Sequence, residues 1–113
     1  MGYVIDYFEL PTSSMAESRA FFGKAFGWQF KDYGPGYAEI VDAGVLGGLT
    51  GDAEGRTPMP AIGIRTEDID AAVAAIEAAG GLITIQPYAY PGGHRFFFRE
   101  PGGSELLVYC PEE

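Results

Sequence analysis

The chain has 113 residues, of which 47% are hydrophobic and 20% are charged, and its formal net charge is -9. A chain of this length forms one domain with a core of its own, and none of its apolar runs has the length of a membrane span. Its 16 acidic residues against 7 basic ones would repel phosphate backbones, so neither nucleic acid nor a membrane is expected as a partner.

The only cysteine, Cys110, cannot form a disulfide within the chain. The sequence also begins without the charged and then apolar segments of a secretory signal. We therefore expect a cytoplasmic protein.

The first half of the chain alternates in the manner of β-strands at 3–10, 28–33, 37–41 and 45–50. Between the first two strands lies SSMAESRAFFGKAFG, where Ser14 and Glu17 have the spacing of a capping box. Met15, Phe22 and Phe26 fall on one helical face before Gly27. This segment is predicted to be a helix.

The second half repeats this order after a polar linker predicted at 53–59. Strands are predicted at 61–66, 82–86, 95–100 and 105–110, and a helix in DIDAAVAAIEAAGG, capped by Asp68 and ended by Gly80 and Gly81. A shift of 54 residues places Ser14 on Asp68 and Gly27 on Gly81. Each half alone, 1–52 or 60–113, is too small to bury its sheet face, so residues 1–113 are predicted to form a single domain.

The stretches YFELPTSSMAESRAFFGKAFGWQF, IGIRTEDIDAAVAAIEAAGG and GHRFFFREPGGSELLVY resemble the vicinal oxygen chelate superfamily, which includes glyoxalase I, bleomycin resistance proteins and extradiol dioxygenases. The resemblance covers most of the chain. It implies an α+β fold in which two tandem βαβββ modules form a curved, partly open mixed sheet around a cleft, within or across a homodimer.

In metal-dependent members of this superfamily, the first and last strands of each module supply the metal ligands. The resemblance places these positions at Tyr7, Ala61, Gly48 or Leu49, and Leu107. Aliphatic side chains and glycine offer no donor atom, and a phenol is a poor ligand near neutral pH. We therefore expect neither a metal nor another cofactor. The single histidine, His94, has no visible partner for binding a metal and is expected to face solvent or anchor a loop.

Strand alternation, anchored on the family pattern, predicts which side chains line the cleft. The candidate ligand-binding residues are Tyr7, Glu9, Tyr37, Glu39, Arg65, Arg95, Phe97, Glu105, Leu107 and Tyr109. Aromatic walls with a few charges are typical of a small-molecule pocket. The alternative is that five charged residues of this region simply pair with one another, namely Glu9, Glu105, Arg65, Arg95 and Arg99.

The stretch QPYAYPGG at 86–93 is predicted to be a semi-rigid connection or, by preference, a flap over the cleft. The leading hypothesis for function is a metal-free binder of a small organic molecule. The alternatives are a lyase, isomerase or dioxygenase-type enzyme with non-standard metal ligands, or a metal-free catalyst with Glu9 or Glu39 as general base. A purely structural or regulatory dimer is a third possibility.

Overall fold

The computed structural model describes residues 2–51 and 59–112, so the predicted linker at 53–59 lies outside the described residues except for its last residue. The elements of the first half are β1 (Val4–Pro11), α1 (Met15–Phe26), β2 (Gln29–Asp32), β3 (Tyr37–Val41) and β4 (Leu46–Thr50). Those of the second half are β5 (Ala61–Arg65), α2 (Ile69–Ala78), β6 (Leu82–Tyr90), β7 (Gly93–Arg99) and β8 (Glu105–Pro111). This order confirms the α+β class and the tandem βαβββ modules.

The chain divides into two compact units whose boundaries differ slightly from those of the sequence repeat. The first unit is Tyr7–Ala61. The second unit joins the described residues before Tyr7 to those from Ile62 onward. Residues up to Asp6, at the start of β1, therefore group with the second half of the chain.

The first unit contains a mixed sheet in the strand order β2-β3-β4-β1. Strand β1 runs parallel to β4, and the other two pairs are antiparallel. Two consecutive glycines in β4 make room for side chains on opposite faces, since a Cβ at Gly47 would collide with the Phe8 ring and one at Gly48 with the phenols of Tyr7 and Tyr37. The glycine pair thus leaves room for a ring on one side of this strand and for two phenol hydroxyls on the other.

The predicted ends of α1 are confirmed. The Glu17 backbone N–H donates to Ser14 Oγ at 3.2 Å, and Gly27 closes the helix with a left-handed φ of 75°. The Ser14 backbone N–H, however, donates to Thr12 Oγ1 at 2.9 Å. Thr12 therefore takes the place that a capping box would give to the Glu17 carboxylate.

In the second unit the strand order is β5-β8-β7-β6, and α2 packs on one face of this sheet. Its core consists of Ala72 on the helix with Phe96, Phe98 and Val108 on the strands. Asp68 caps the helix as predicted, because its Oδ1 accepts the Ala71 N–H at 3.0 Å. Burial of these aromatic side chains against α2 stabilises this unit.

Residues 86–93, predicted to be a semi-rigid connection or a flap, lie for the most part in two paired strands instead. Strand β6 runs to Tyr90 and forms a hairpin with β7, in which Tyr88 lies opposite Arg95 and Tyr90 opposite Gly93. Strand β6 lies at the edge of the sheet, where a proline without a backbone N–H is tolerated. The register of its pairing with β7 shifts between Ile83 and Tyr88, the region that contains Pro87. The two tyrosines are therefore fixed in the sheet.

The helices of the described residues are short, with 12 residues in α1 and 10 in α2. Neither of them is long and apolar enough to cross a membrane.

Candidate functional site

Four of the predicted site residues surround Gly48 on the sheet of the first unit. Glu9 on β1 and Glu39 on β3 are both Cα partners of Gly48 on β4. Tyr7 and Tyr37 lie two residues before these glutamates, so strand alternation places them on the same face. The first unit thus brings two carboxylates and two phenols together around one glycine.

The two phenols meet directly above Gly48, where the Tyr7 and Tyr37 hydroxyls are hydrogen-bonded to each other. They arrive from opposite ends of the strand, because Tyr7 is opposite Leu46 and Tyr37 is opposite Thr50. Both side chains are buried, as is Glu9 with only 2% of its surface exposed. The arrangement can offer two O–H groups to one point in a water-poor environment.

Glu39 lies at the more open side of this group. Its Oε1 accepts the Tyr33 hydroxyl at 3.2 Å, and it is the cross-strand partner of Lys31. The Lys31 ammonium also lies 5.4 Å from the centre of the Tyr33 ring. Glu39 is therefore hydrogen-bonded to one phenol and lies across from a lysine on the neighbouring strand.

The second unit arranges its polar site residues in a row across all four strands. Tyr109 on β8 is opposite both Arg65 on β5 and Arg95 on β7, and Arg95 is opposite Tyr88 on β6. Residues in register across a sheet present their side chains to the same face. The row therefore alternates two guanidinium groups with two phenols.

Arg95 is enclosed by aromatic rings. Its Nε donates to the Tyr88 hydroxyl at 2.7 Å, and its guanidinium carbon lies 4.6 Å from the ring centre of Tyr90 and 5.5 Å from those of Tyr88 and Phe97. Only 2% of Arg95 is exposed. Contacts with several ring faces stabilise a cation that burial would otherwise disfavour. Tyr88 and Tyr90 were not among the predicted ligand-binding residues, although their i, i+2 spacing is typical of a strand.

Tyr109 connects this row to Asp6, a residue that the sequence analysis did not assign to the site. The Tyr109 hydroxyl donates to Asp6 Oδ1 at 2.5 Å, and Arg65 Nη1 lies 4.0 Å from Asp6 Oδ2. Burial, followed by the hydrogen bond to Asp6, raises the pKa of Tyr109 from 10.0 to about 12. The hydrogen bond with Tyr109 is also the main reason why the pKa of Arg65 is raised. No local signal links residues that are this far apart in sequence.

The remaining predicted residues occupy the two adjacent rows. Leu107 is opposite Gly63 and Phe97. Each of these three residues is two positions along its strand from the row that contains Tyr109, so they share its face of the sheet. Glu105 is opposite Arg99, to which it is ion-paired at 3.4 Å, and it accepts the Thr84 hydroxyl at 2.5 Å. Glu105 is thus already engaged by neighbours in its own unit, as the charge-pairing alternative predicts.

The positions that the family resemblance assigns to metal ligands do not fit a metal ion. Above Gly48 the space is filled by the hydroxyls of Tyr7 and Tyr37, which are weak ligands as neutral phenols. Leu107 is fully buried among apolar neighbours and has no donor atom. Within residues 2–51 and 59–112, no three His, Cys, Asp or Glu side chains come together as a possible metal site.

His94 lies on β7 next to Arg95, so alternation turns it to the opposite face from the Arg95 side chain. Its cross-strand partners are Ala89 and Cys110, and its side chain is exposed. The position agrees with the expected solvent-facing histidine.

Comparison with known proteins identifies the family of this fold. An uncharacterized protein of Mycolicibacterium smegmatis is 32% identical over 104 residues, which cover 90% of this chain and 89% of that protein. A glyoxalase/bleomycin resistance protein/dioxygenase superfamily member from Vibrio splendidus has a similar structure, with a TM-score of 0.68 and 15% identity over 98% of this chain and all of that one.

A methylmalonyl-CoA epimerase from Mycobacterium tuberculosis is also similar in structure, with a TM-score of 0.70 and 12% identity over 96% of this chain and 88% of that one. At these identities the structural likenesses show the fold alone. The model of the Glyoxalase/Bleomycin resistance protein/Dioxygenase superfamily, in contrast, matches residues 4–108 by sequence. The chain therefore belongs to the Glyoxalase/Bleomycin resistance protein/Dioxygenase superfamily.

Proposed function

We propose that this protein binds a small organic molecule in a metal-free cleft formed by its sheet. The observation that carries the proposal is the row Arg65, Tyr109, Arg95 and Tyr88 in the second unit. Aromatic rings provide apolar contact area, and a fixed cation orients a ligand of opposite charge. Ligands with a planar ring and a negatively charged group match this surface best.

Arg65 is the residue of this row that is best suited to meet the ligand. Its side chain is 48% exposed, whereas Arg95 is enclosed by its rings. Arg95 then serves to hold Tyr88, Tyr90 and Phe97 in place as the aromatic wall. The other predicted residues remain proposed ligand-binding residues, each within its own unit: Glu9 and Glu39 in the first, and Glu105 and Leu107 in the second.

A thermal stabilisation screen with aromatic carboxylates tests this proposal. A ligand at one hundred times its dissociation constant adds about 2.7 kcal/mol to the free energy of unfolding. We expect Arg65→Gln to reduce the stabilisation by a binder strongly. Arg19→Gln is the matched control, because Arg19 pairs with Asp32 in the first unit. Equal stabilisation of the wild type and Arg65→Gln by every binder would contradict the proposed site.

Metal-free acid-base catalysis is the second candidate, favoured by the position of Glu9. This buried carboxylate shares its sheet face with the hydroxyls of Tyr7 and Tyr37. Such a group can take up a proton beside donors that stabilise developing charge. Turnover of a screened ligand that is lost in Glu9→Gln but retained in Glu39→Gln would support it. Bound zinc, nickel, manganese or iron that survives dialysis would instead favour a metal enzyme.

The proposal includes a homodimer in the cytoplasm. Short sheets with open edges gain from being covered by a second copy, and a lone cysteine suits a reducing compartment. Sedimentation equilibrium at micromolar concentration tests the dimer.

A further inference from the structure

The contact between Tyr7 and Tyr37 is an unusual use of two buried phenols. Each comes from a different strand, and both hydroxyls lie above the single position in β4 where a side chain would collide with them. Packing alone does not require two hydroxyls at this point, since phenylalanine fills nearly the same volume. The convergence therefore calls for a chemical explanation.

Two O–H groups that converge on one point can both donate to a single oxygen atom. A phenol hydroxyl rotates about its C–O bond, so the hydrogen bond between the two tyrosines can be exchanged for two hydrogen bonds to an incoming oxygen. With 5% of Tyr7 and 9% of Tyr37 exposed, both donors are shielded from water, which strengthens their hydrogen bonds. They are also positioned in advance, since Gly48 leaves the space that both require.

The charge around the phenols decides which oxygen they can accept. Glu9 and Glu39 flank Gly48 in register, one on each neighbouring strand. Acidic side chains on both neighbouring strands make this face less favourable for a carboxylate or phosphate oxygen. A neutral carbonyl oxygen carries only a partial negative charge and is therefore less affected.

We propose that Tyr7 and Tyr37 form a binding site for the carbonyl oxygen of a neutral ketone, aldehyde, amide or ester group on the ligand, above Gly48. This inference rests on the proposed small-molecule binding and specifies its chemistry. The phenols of the first unit are proposed for the carbonyl oxygen only, and the row that includes Arg65 remains a separate proposal within the second unit.

Acetophenone labelled with carbon-13 at its carbonyl tests the inference. Hydrogen bonding to the oxygen moves the carbonyl resonance downfield, so NMR titration reports both binding and the number of donors. We expect a downfield shift on binding to the wild type. Tyr7→Phe and Tyr37→Phe should each bind about tenfold more weakly, because each loses one hydrogen bond worth about 1.4 kcal/mol. The double variant should lose the shift completely.

Tyr3→Phe is the matched control, since Tyr3 is 56% exposed and belongs to the second unit. It should bind the ketone as the wild type does. Gly48→Ala should abolish the shift, because its methyl group occupies the point where the hydroxyls meet. The Phe variants retain the ring volume and so keep the test valid if Gly48→Ala folds poorly.

Failure to bind acetophenone at its solubility limit, or binding without a downfield shift, would overturn the inference. So would equal affinity of the wild type and the double Phe variant. Ligands from the carboxylate screen that depend on Arg65 but not on the phenols would leave the proposed function intact while removing this extension. A screen without any binder would remove both.

Discussion

The two halves of the chain use one backbone plan for opposite chemistry. In the first unit, Glu9 and Glu39 stand opposite Gly48, whereas in the second unit Gly63 and Phe97 stand opposite Leu107. Two residues before Glu39 is Tyr37, and at the equivalent place before Phe97 is Arg95. The strand pairing is therefore the same in both units, and the side chains differ. The first unit carries carboxylates and phenols at these positions, whereas the second carries a guanidinium group and apolar residues.

The helices of the two units differ in how tightly they pack. Helix α2 buries Ala72 against Phe96, Phe98 and Val108. Helix α1 has no fully buried residue, and its rings stack on one another and on Trp28 instead. A small residue at the contact allows close packing of α2, whereas the bulky rings of α1 leave Phe21 59% and Phe26 61% exposed. The second unit should thus have the stronger core of its own.

The largest predicted effect tests this difference in packing. Phe96→Ala should lower the free energy of unfolding by about 3 to 5 kcal/mol, because Phe96 is completely buried in the core of the second unit. Phe26→Ala is the matched variant in the first unit and should cost about 1 kcal/mol or less. Urea denaturation followed by circular dichroism gives both values. Equal losses would show that α1 is as tightly packed as α2.

The next largest effect is a dependence of stability on pH that arises from Tyr109. Its pKa is raised to about 12 by burial and by Asp6 in the second unit. In the unfolded chain a tyrosine loses its proton near pH 10, so between pH 10 and 12 the folded state binds more protons than the unfolded state. Stability should therefore fall as the pH rises through this window, by about 1 to 2 kcal/mol. Denaturation at pH 9, 10 and 11 measures the decline.

Tyr109→Phe should flatten this decline, because the group that titrates is gone. Tyr33→Phe should leave it unchanged, since Tyr33 lies in the first unit and has no contact with Asp6 among the hydrogen bonds described. A decline of the same slope in Tyr109→Phe would contradict the assignment to Tyr109.

The smallest predicted effect comes from a substitution that gives α1 an alanine, the residue type common in α2. Gly23 lies inside α1, and a Cβ there would lie 3.5 Å from the Trp28 carbonyl oxygen, an ordinary contact. Gly23→Ala should raise the free energy of unfolding by about 0.5 to 1 kcal/mol through helix propensity. Gly27→Ala is the control and should destabilise, because φ is 75° there. Fluorescence of Trp28 reports unfolding of this region directly.

Much of the fold followed from local patterns in the sequence. The caps Ser14 and Asp68 and the stop at Gly27 were predicted because they depend on neighbouring residues only. Strand β6 was predicted too short, since Pro87 and the glycines after Tyr90 resemble a loop signal. The register shifts that allow a strand through this segment depend on pairing with β7, which local patterns do not contain.

The candidate site was predictable as a set of positions but not as a set of contacts. Alternation along each strand was enough to select Tyr37, Arg95 and Tyr109. The ring enclosure of Arg95 and the bond from Tyr109 to Asp6 depend on how distant segments meet. Asp6 was not among the predicted site residues, because its partner Tyr109 lies 103 residues away in the chain.

The bond between Tyr109 and Asp6 has a consequence for how the protein can be divided. Asp6 belongs to the compact unit that otherwise begins at Ile62. A fragment produced by cleavage in the segment between Gly51 and Met59 would lack the acceptor of the Tyr109 hydroxyl. A gene encoding residues 60–113 alone should therefore yield a poorly folded peptide, whereas one that fuses residues 1–6 to its start supplies the missing carboxylate.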